Sequence, residues 1–284
     1  MKFTKMQGLG NDYVYVDCAR EKIMDPAGLS RRISDRHFGI GSDGLVMILP
    51  GDEADFRMRM FNADGSEAEM CGNAIRCVGR YVYERGLTDR TEIGVETCAG
   101  LRKLKMNLLD GKVSSVQVDM GVPEFLPERI PADPARLGLP ADAEAIAEVP
   151  LALPFGTFSV TCVSMGNPHC VIFTDEVESL PLEVLGPAIE RHPAFPQKTN
   201  VEFARVIDRG QIRMRVWERG SGETMACGTG ACATLAAAVK TGRTDRKATL
   251  HLNGGDLEIE WNEKTGRILK TGPAVFVFDG DIEV

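Results

Sequence analysis

The chain predicts an α+β fold built twice: two homologous, pseudo-symmetric domains, each a mixed or antiparallel β-sheet or barrel wrapped around a central α-helix. Three observations predict it. Cys71-Gly72 and Cys227-Gly228 lie 156 residues apart, and at that offset Arg57-Met58-Arg59 falls on Arg213-Met214-Arg215, Thr88-Asp89-Arg90 on Thr244-Asp245-Arg246, and Asn11 on Asn167. Ordered runs around one cysteine mark a duplication, and the period is domain-sized, too long for a solenoid repeat. Apolar and charged residues alternate before each cysteine, as in Phe56-Arg57-Met58-Arg59-Met60 and Ile212-Arg213-Met214-Arg215-Val216. An apolar stretch then follows each cysteine.

The elements follow in order. The alternations have the period of half-buried strands, with their arginines on a solvated face. Each strand runs into a turn segment, Asn62-Ala63-Asp64-Gly65-Ser66 in one copy and Glu218-Arg219-Gly220-Ser221-Gly222 in the other. After Cys71, residues Ile75, Val78 and Val82 recur at helical spacing; after Cys227, Ala231 to Val239 is nearly all apolar, as in a helix buried on every side. Gly86 and Gly242 stand where those helices should be capped. Further strands are expected at Leu104-Met106-Leu108, Val116-Val118-Met120, Leu257-Ile259-Trp261 and Val275 to Phe278. The Pro- and Ala-rich stretch from Gly121 to Pro154 lacks periodicity and reads as the interdomain connection, with at most a short helix. The expected domains are residues 1–120 with a C-terminal strand at 274–284, and residues 121–273.

Bulk properties narrow the function. A chain of 284 residues, 43% hydrophobic and 26% charged, suits a globular protein with a sizeable core. A net charge of −8 without Lys/Arg clusters excludes a nucleic-acid footprint. No signal-peptide core opens the chain and no run of 18 apolar residues occurs, so no membrane partner and a cytoplasmic location are expected. The eight cysteines include no Cys-x-x-Cys pair and only four histidines accompany them, so neither a disulfide scaffold nor a metal site is expected.

The repeated cysteines carry the chemistry. A helix N-terminus offers partial positive charge and unpaired N–H groups, which favour a thiolate and hold a carboxylate. Gly72 and Gly228 allow close backbone approach. Two thiols, one from each domain across a closable cleft, are what inversion at a carbon requires: one takes the proton, the other returns it on the opposite face. Cys77 and Cys232 fit simple packing, and Cys18, Cys98, Cys162 and Cys170 have no distinguishing context.

Six ordered motifs resemble those of the diaminopimelate epimerase family. They are Gly8-Leu9-Gly10-Asn11-Asp12, Asn62-Ala63-Asp64-Gly65-Ser66, Cys71-Gly72-Asn73-Ala74-Ile75-Arg76, Ser164-Met165-Gly166-Asn167-Pro168-His169, Glu218-Arg219-Gly220-Ser221-Gly222-Glu223 and Ala226-Cys227-Gly228-Thr229-Gly230-Ala231. The resemblance runs from residue 1 to Thr271-Gly272-Pro273-Ala274. It implies a cofactor-independent two-thiol isomerase that interconverts LL- and meso-2,6-diaminopimelate for lysine and peptidoglycan precursors and acts on a small molecule. The strand from Val275 to Phe278 is a candidate edge for a homodimer, a state the sequence itself does not give. It implies Cys71 and Cys227 as the acid/base pair, with His169 and Glu218 assisting. It implies substrate contacts from Asn11, Asn62, Gly72, Asn73, Asn167, Asn200, Glu218, Arg219, Gly228 and Thr229. Arg219 suits a distal carboxylate as a bidentate donor. Glu218 falls opposite Asn62 in the repeat, and a substrate with two unlike ends needs such a break. His169 and Asn11 also admit a simpler reading as hydrogen-bonded turn residues. One departure stands out: in Gly39-Ile40-Gly41-Ser42-Asp43-Gly44, many family members carry Gln where this chain has Gly44. The rivals are proline racemase or hydroxyproline epimerase, isomerases with a carboxylate base, and a binding module with packed cysteines. Two facing thiols should also oxidise to a disulfide when the site is empty.

Overall fold

A computed structural model describes residues 1–283. The chain forms two compact units: Met1–Asp119 together with the segment from Thr271 onward, and Met120–Lys270.

Unit 1 contains β1 (Lys2–Gly8), β2 (Asn11–Asp17), helix α1 (Pro26–Ser34), β3 (Gly44–Pro50), β4 (Phe56–Asn62), a two-residue β5 (Glu67–Ala68), helix α2 (Ala74–Glu84), β6 (Glu92–Thr97), β7 (Gly100–Leu109) and β8 (Lys112–Gly121). Unit 2 contains β9 (Val149–Leu153), β10 (Gly156–Ser164), β11 (Pro168–Phe173), helix α3 (Leu182–Glu190), β12 (Asn200–Asp208), β13 (Gln211–Glu218), β14 (Gly222–Glu223), helix α4 (Gly228–Lys240), β15 (Lys247–Leu252) and β16 (Gly255–Trp261). The chain leaves unit 2 in β17 (Ile268–Gly272), and β18 (Val275–Asp281) pairs antiparallel with β1.

Both units use one topology. In unit 1, β1–β2 are antiparallel, β2–β3 parallel, β3–β4 antiparallel, β4–β6 parallel and β6–β7 antiparallel. In unit 2, β10–β11, β11–β12, β12–β13, β13–β15 and β15–β16 repeat that order of directions. A parallel pair needs a crossover, supplied here by α1 and α2 in one unit and by α3 and α4 in the other. The registers repeat at the same offset: Tyr15 stands beside Val46, and Val171 beside Glu202.

The helices after the cysteines are the inner ones. α2 packs on β1, β2 and β7, and α4 on β10, β11, β12, β15 and β16. Ile75, Val78 and Val82 of α2 are fully buried, as are Ala231, Leu235 and Ala238 of α4. Their alanines let the strands close around the helix, and each larger aliphatic adds about 1.5–3 kcal/mol of burial. Both helices end alike. The Gly86 amide donates to the Tyr83 carbonyl and that of Leu87 to Val82; the Gly242 amide donates to Val239 and that of Arg243 to Ala238. This is a Schellman end, and it puts Gly86 and Gly242 at φ 69° and 71°.

Two sequence expectations are corrected. The stretch from Gly121 to Pro154 is no mere connection: it belongs to the body of unit 2. Two short 3-10 turns, Pro127–Arg129 and Pro134–Leu137, lead into β9. Ile130, Leu137, Ile146, Val149 and Leu151 lie in that unit's core. Irregular backbone gives its buried residues no period, so they do not stand out in the sequence. Arg213 and Arg215 are not on a solvated face either. Arg213 pairs with Glu178 and Arg215 with Glu223. Arg215 also donates to the carbonyls of Val177, Glu178 and Leu180, so its guanidinium closes a turn.

Candidate active site

Each cysteine heads the first turn of its inner helix. The Cys71 carbonyl accepts from the Ile75 amide at 3.0 Å, and the Cys227 carbonyl from the Ala231 amide at 3.0 Å. Cys227 is the N-cap of α4, and its sulfur accepts from the Gly230 amide at 3.3 Å. α2 becomes regular only at Ala74, with Asn73 at its N-cap, so Cys71 precedes the helix by a two-residue turn.

The surroundings of the two sulfurs differ. In unit 1, Cys71 Sγ donates to Asn11 Oδ1 at 3.2 Å. Asn11 Nδ2 donates to Asp43 Oδ2 at 2.8 Å. A carboxylate only accepts, so Asp43 fixes which end of the amide meets the thiol. Asp43 and Asp12 share Arg36, and Asp12 also pairs with Lys5 at 2.7 Å. Burial would raise Asp12, but hydrogen bonds from Arg36 and Lys5 outweigh it and hold the carboxyl below its ordinary range. Gly72 and Asn73 are buried. The fully buried Arg76 donates to the Gly72 carbonyl at 3.1 Å and to Asn73 Oδ1 at 2.9 Å, which fixes the turn after Cys71. Asn62, at the end of β4, donates from Nδ2 to Ser66 Oγ at 3.0 Å.

In unit 2, the equivalent amide is turned elsewhere. Asn167 Oδ1 meets His169 Nε2 at 3.0 Å, and Asn167 Nδ2 donates to Thr229 Oγ1 at 3.3 Å. Thr229 Oγ1 lies 3.5 Å from Cys227 Sγ. His169 Nδ1 lies 2.7 Å from Glu202 Oε1, and both residues are fully buried. His169 is therefore held by side chains and not by backbone. Glu218, at the end of β13, accepts from Thr224 Oγ1 at 2.5 Å. Burial pushes the Glu218 carboxyl above its ordinary value against that hydrogen bond. The Cys227 thiol is pushed well up, first by burial and then by the charges of Glu218 and Glu202; Thr229 and the Gly230 amide oppose this. Asn200 donates to the Pro168 carbonyl at 2.8 Å and accepts from the Arg219 amide at 2.9 Å. The exposed Arg219 guanidinium donates to the Gln197 carbonyl at 3.1 Å. Gly228 is buried in the first turn of α4.

The structure accounts for Gly44. At offset 156 it is the counterpart of Asn200. A Cβ at Gly44 would lie 2.0 Å from the Phe61 carbonyl oxygen and 2.8 Å from the Tyr13 ring, at φ +157°. No side chain fits without moving the backbone. The carbonyl equivalent to that of Pro168 is that of Asp12, and the Asp43 amide takes it at 2.7 Å. Backbone thus does in unit 1 what the Asn200 side chain does in unit 2.

Two residues escaped the sequence reading. Asp43, next to Gly44, orients Asn11. Glu202 carries the stronger signal: an acid in the apolar run Val201-Glu202-Phe203-Ala204, where the first copy has Val46. Among the described residues, no group of three or more His, Cys, Asp or Glu is placed to hold a metal ion.

Comparison with known proteins places this geometry. The chain is 55% identical over 284 residues to a diaminopimelate epimerase of Acetivibrio thermocellus, covering 100% of this chain and 99% of that one. It is 55% identical to a diaminopimelate epimerase of Methanococcus maripaludis strain C5, covering 100% of both. Among solved structures, a hydroxyproline epimerase from Agrobacterium vitis with bound trans-4-hydroxy-L-proline aligns at TM-score 0.70 and 17% identity, over 99% of this chain and 91% of that one. A PhzF-family phenazine biosynthesis protein from Bacillus anthracis aligns at TM-score 0.68 and 16% identity, over 100% and 99% of the two chains. At those identities the two structures speak for the fold alone. The profile of the diaminopimelate epimerase family matches residues 3–126 and 161–277. With full-length relatives at this identity and a cysteine heading the inner helix of each unit, the chain belongs to the diaminopimelate epimerase family.

Proposed function

We propose that this chain interconverts LL- and meso-2,6-diaminopimelate without a cofactor, with Cys71 and Cys227 as the acid/base pair. One observation carries the reading: each unit holds a cysteine at the head of its inner helix, at positions related by the repeat. The α-proton of an amino acid is a very weak acid, so its removal needs stabilisation of the enediolate that develops. The first-turn amides after Gly72 and Gly228 would donate to the α-carboxylate. One thiolate takes the proton, and the other thiol delivers one to the opposite face. Both thiols must be reduced for this, which supports a cytoplasmic setting.

The surroundings of the sulfurs support distinct partners for each. Asn11 accepts from the Cys71 thiol. At Cys227, Glu218 is the neighbouring acceptor and Thr229 the neighbouring hydroxyl. Asn11, Asn73, Asn167 and Thr229 then bind at the reacting end. Asn62, Asn200, Glu218 and Arg219 hold the distal amino-acid end, whose carboxylate suits a guanidinium and whose ammonium suits a carboxylate. His169 assists at Cys227. The exposed Val275, Val277 and Phe278 of β18 support a homodimer through that strand, which light scattering at graded concentration would test.

The direct test is reduced protein with LL-diaminopimelate in D2O. Deuterium at a single α-centre with meso product is the expected outcome. Absence of both exchange and product would overturn the reading, and proline and 4-hydroxyproline would then be the substrates to try.

A further inference from the structure

The repeat isolates a buried ionisable pair found in one copy only. At offset 156, His169 stands where unit 1 has Tyr13, and Glu202 where it has Val46. Gly230 stands where unit 1 has Ala74. The last two changes compensate. A Cβ at Gly230 would lie 2.6 Å from Glu202 Oε1 and 3.2 Å from Cys227 Sγ. Unit 2 has thus lost a methyl group at the head of α4 and gained a carboxyl group against it. Glu202 Oε2 is buried without a hydrogen-bond partner, an arrangement that costs stability and that packing alone does not explain.

We infer that Glu202 is a positioning residue: through His169, Asn167 and Thr229 it governs the hydrogen bonding of Cys227, and of Cys227 alone among the two thiols. The inference rests on the epimerase function proposed for the chain. A line of contacts joins the groups: Glu202 Oε1 to His169 Nδ1 at 2.7 Å, His169 Nε2 to Asn167 Oδ1 at 3.0 Å, Asn167 Nδ2 to Thr229 Oγ1 at 3.3 Å, and Thr229 Oγ1 to Cys227 Sγ at 3.5 Å.

The hydrogens along this line are not independent. Nδ1 faces Glu202 Oε1 and carries the ring hydrogen that this acceptor holds. Nε2 donates to the Asn167 amide when it carries a hydrogen and accepts from it when it does not. In the first arrangement the amide oxygen faces the ring. Thr229 Oγ1 accepts from Asn167, which leaves its own hydrogen for the sulfur, where it supports a thiolate. If Nε2 loses its hydrogen, the Asn167 amide must turn over. Thr229 then donates to the amide oxygen and the sulfur loses its donor. Glu202 keeps the ring hydrogen on Nδ1 in both cases, so the state of Nε2 alone sets the amide. The other ionisable groups interacting with Glu202 are Glu218 of β13, Cys227 at the head of α4 and Cys170 of β11. In unit 1 the counterpart amide, Asn11, is set by Asp43 and meets Cys71 directly.

The test compares wild type, Glu202→Gln and Glu202→Val, the last giving unit 2 the residue that unit 1 already buries at this place. Each is labelled with nitrogen-15 histidine, and His169 is assigned against the other three histidines. In wild type, His169 Nδ1 should give the signal of a protonated ring nitrogen. In the variants Nδ1 should shift toward the signal of a nitrogen bearing a lone pair, while the other histidines keep their positions. The kcat/KM for LL-diaminopimelate should fall roughly 10–100-fold, the loss usual when the partner orienting a working imidazole is removed, with most of the fall in kcat. Wild-type enzyme that turns over yet shows the lone pair on His169 Nδ1 would overturn the positioning role, whether or not the variants fold. So would folded variants with unchanged His169 signals and unchanged kcat. A wild type inactive on diaminopimelate sinks the epimerase reading instead, and is told apart by that result alone.

Discussion

At the scale of single residues, two asparagines in equivalent places do different work. Asn11 presents its carbonyl to Cys71, whereas Asn167 presents its amide hydrogens to Thr229 beside Cys227. The group that orients each amide decides this: Asp43 in one unit, His169 with Glu202 in the other. The thiols are thus chemically unlike although the backbone around them repeats. Replacing either with alanine, Cys71→Ala or Cys227→Ala, should lower kcat by at least about 10²–10⁴-fold, the usual contribution of a general acid or base. Retention of turnover by either variant would count against the paired role. Gly44 sets a second expectation. Gly44→Gln should destabilise the protein by roughly 1–3 kcal/mol, because its Cβ meets the Phe61 carbonyl at a positive φ that L residues rarely adopt. Urea unfolding would read this, and an unchanged midpoint would show that the backbone yields.

At the scale of elements, the strands and inner helices were legible because each has a period. β4 and β13 alternate, and α2 and α4 carry apolar residues on the buried side. The helix ends were legible too, since Gly86 and Gly242 fall at matching offsets. What the sequence hid was aperiodic or long-range. Residues 121–154 bury Ile130 and Ile146 from irregular backbone. Glu202 gains meaning only when β11 brings His169 beside β12, through contacts that no local pattern encodes. The caps give a test at this scale. Gly86→Ala and Gly242→Ala should each destabilise by about 1 kcal/mol, the penalty for a left-handed residue with a Cβ. A Cβ at either position would meet no atom within 4 Å, so the loss should be conformational, and Asn at either site should recover part of it.

At the scale of the whole molecule, the buried thiols make stability depend on alkaline pH. Burial raises Cys77 from its ordinary 9.0 to about 11. Below pH 9 the thiol is protonated in both folded and unfolded chains. Above it the unfolded chain ionises while the folded one keeps its proton, so stability is lost between about pH 9 and 11. Holding one thiol protonated over that interval corresponds to about 2–3 kcal/mol. The urea midpoint of wild type should therefore fall from pH 8 to pH 10.5, and that of Cys77→Ala should fall less. Equal falls would remove Cys77 from the account. The duplication itself was legible at this scale because runs such as Arg-Met-Arg recur at one offset.

The return of β18 to pair with β1 has a consequence for how the chain is made. Residues 120–270 are contiguous, so unit 2 has its strands before β18 leaves the ribosome. Unit 1 precedes it but cannot finish, because β1 lacks its β18 neighbour until all of unit 2 has been made. During that interval β1 presents an unpaired edge, the kind of surface that recruits foreign strands. The earlier-born half of the protein is thereby the later one to mature, and it is the half that a holdase would have to guard.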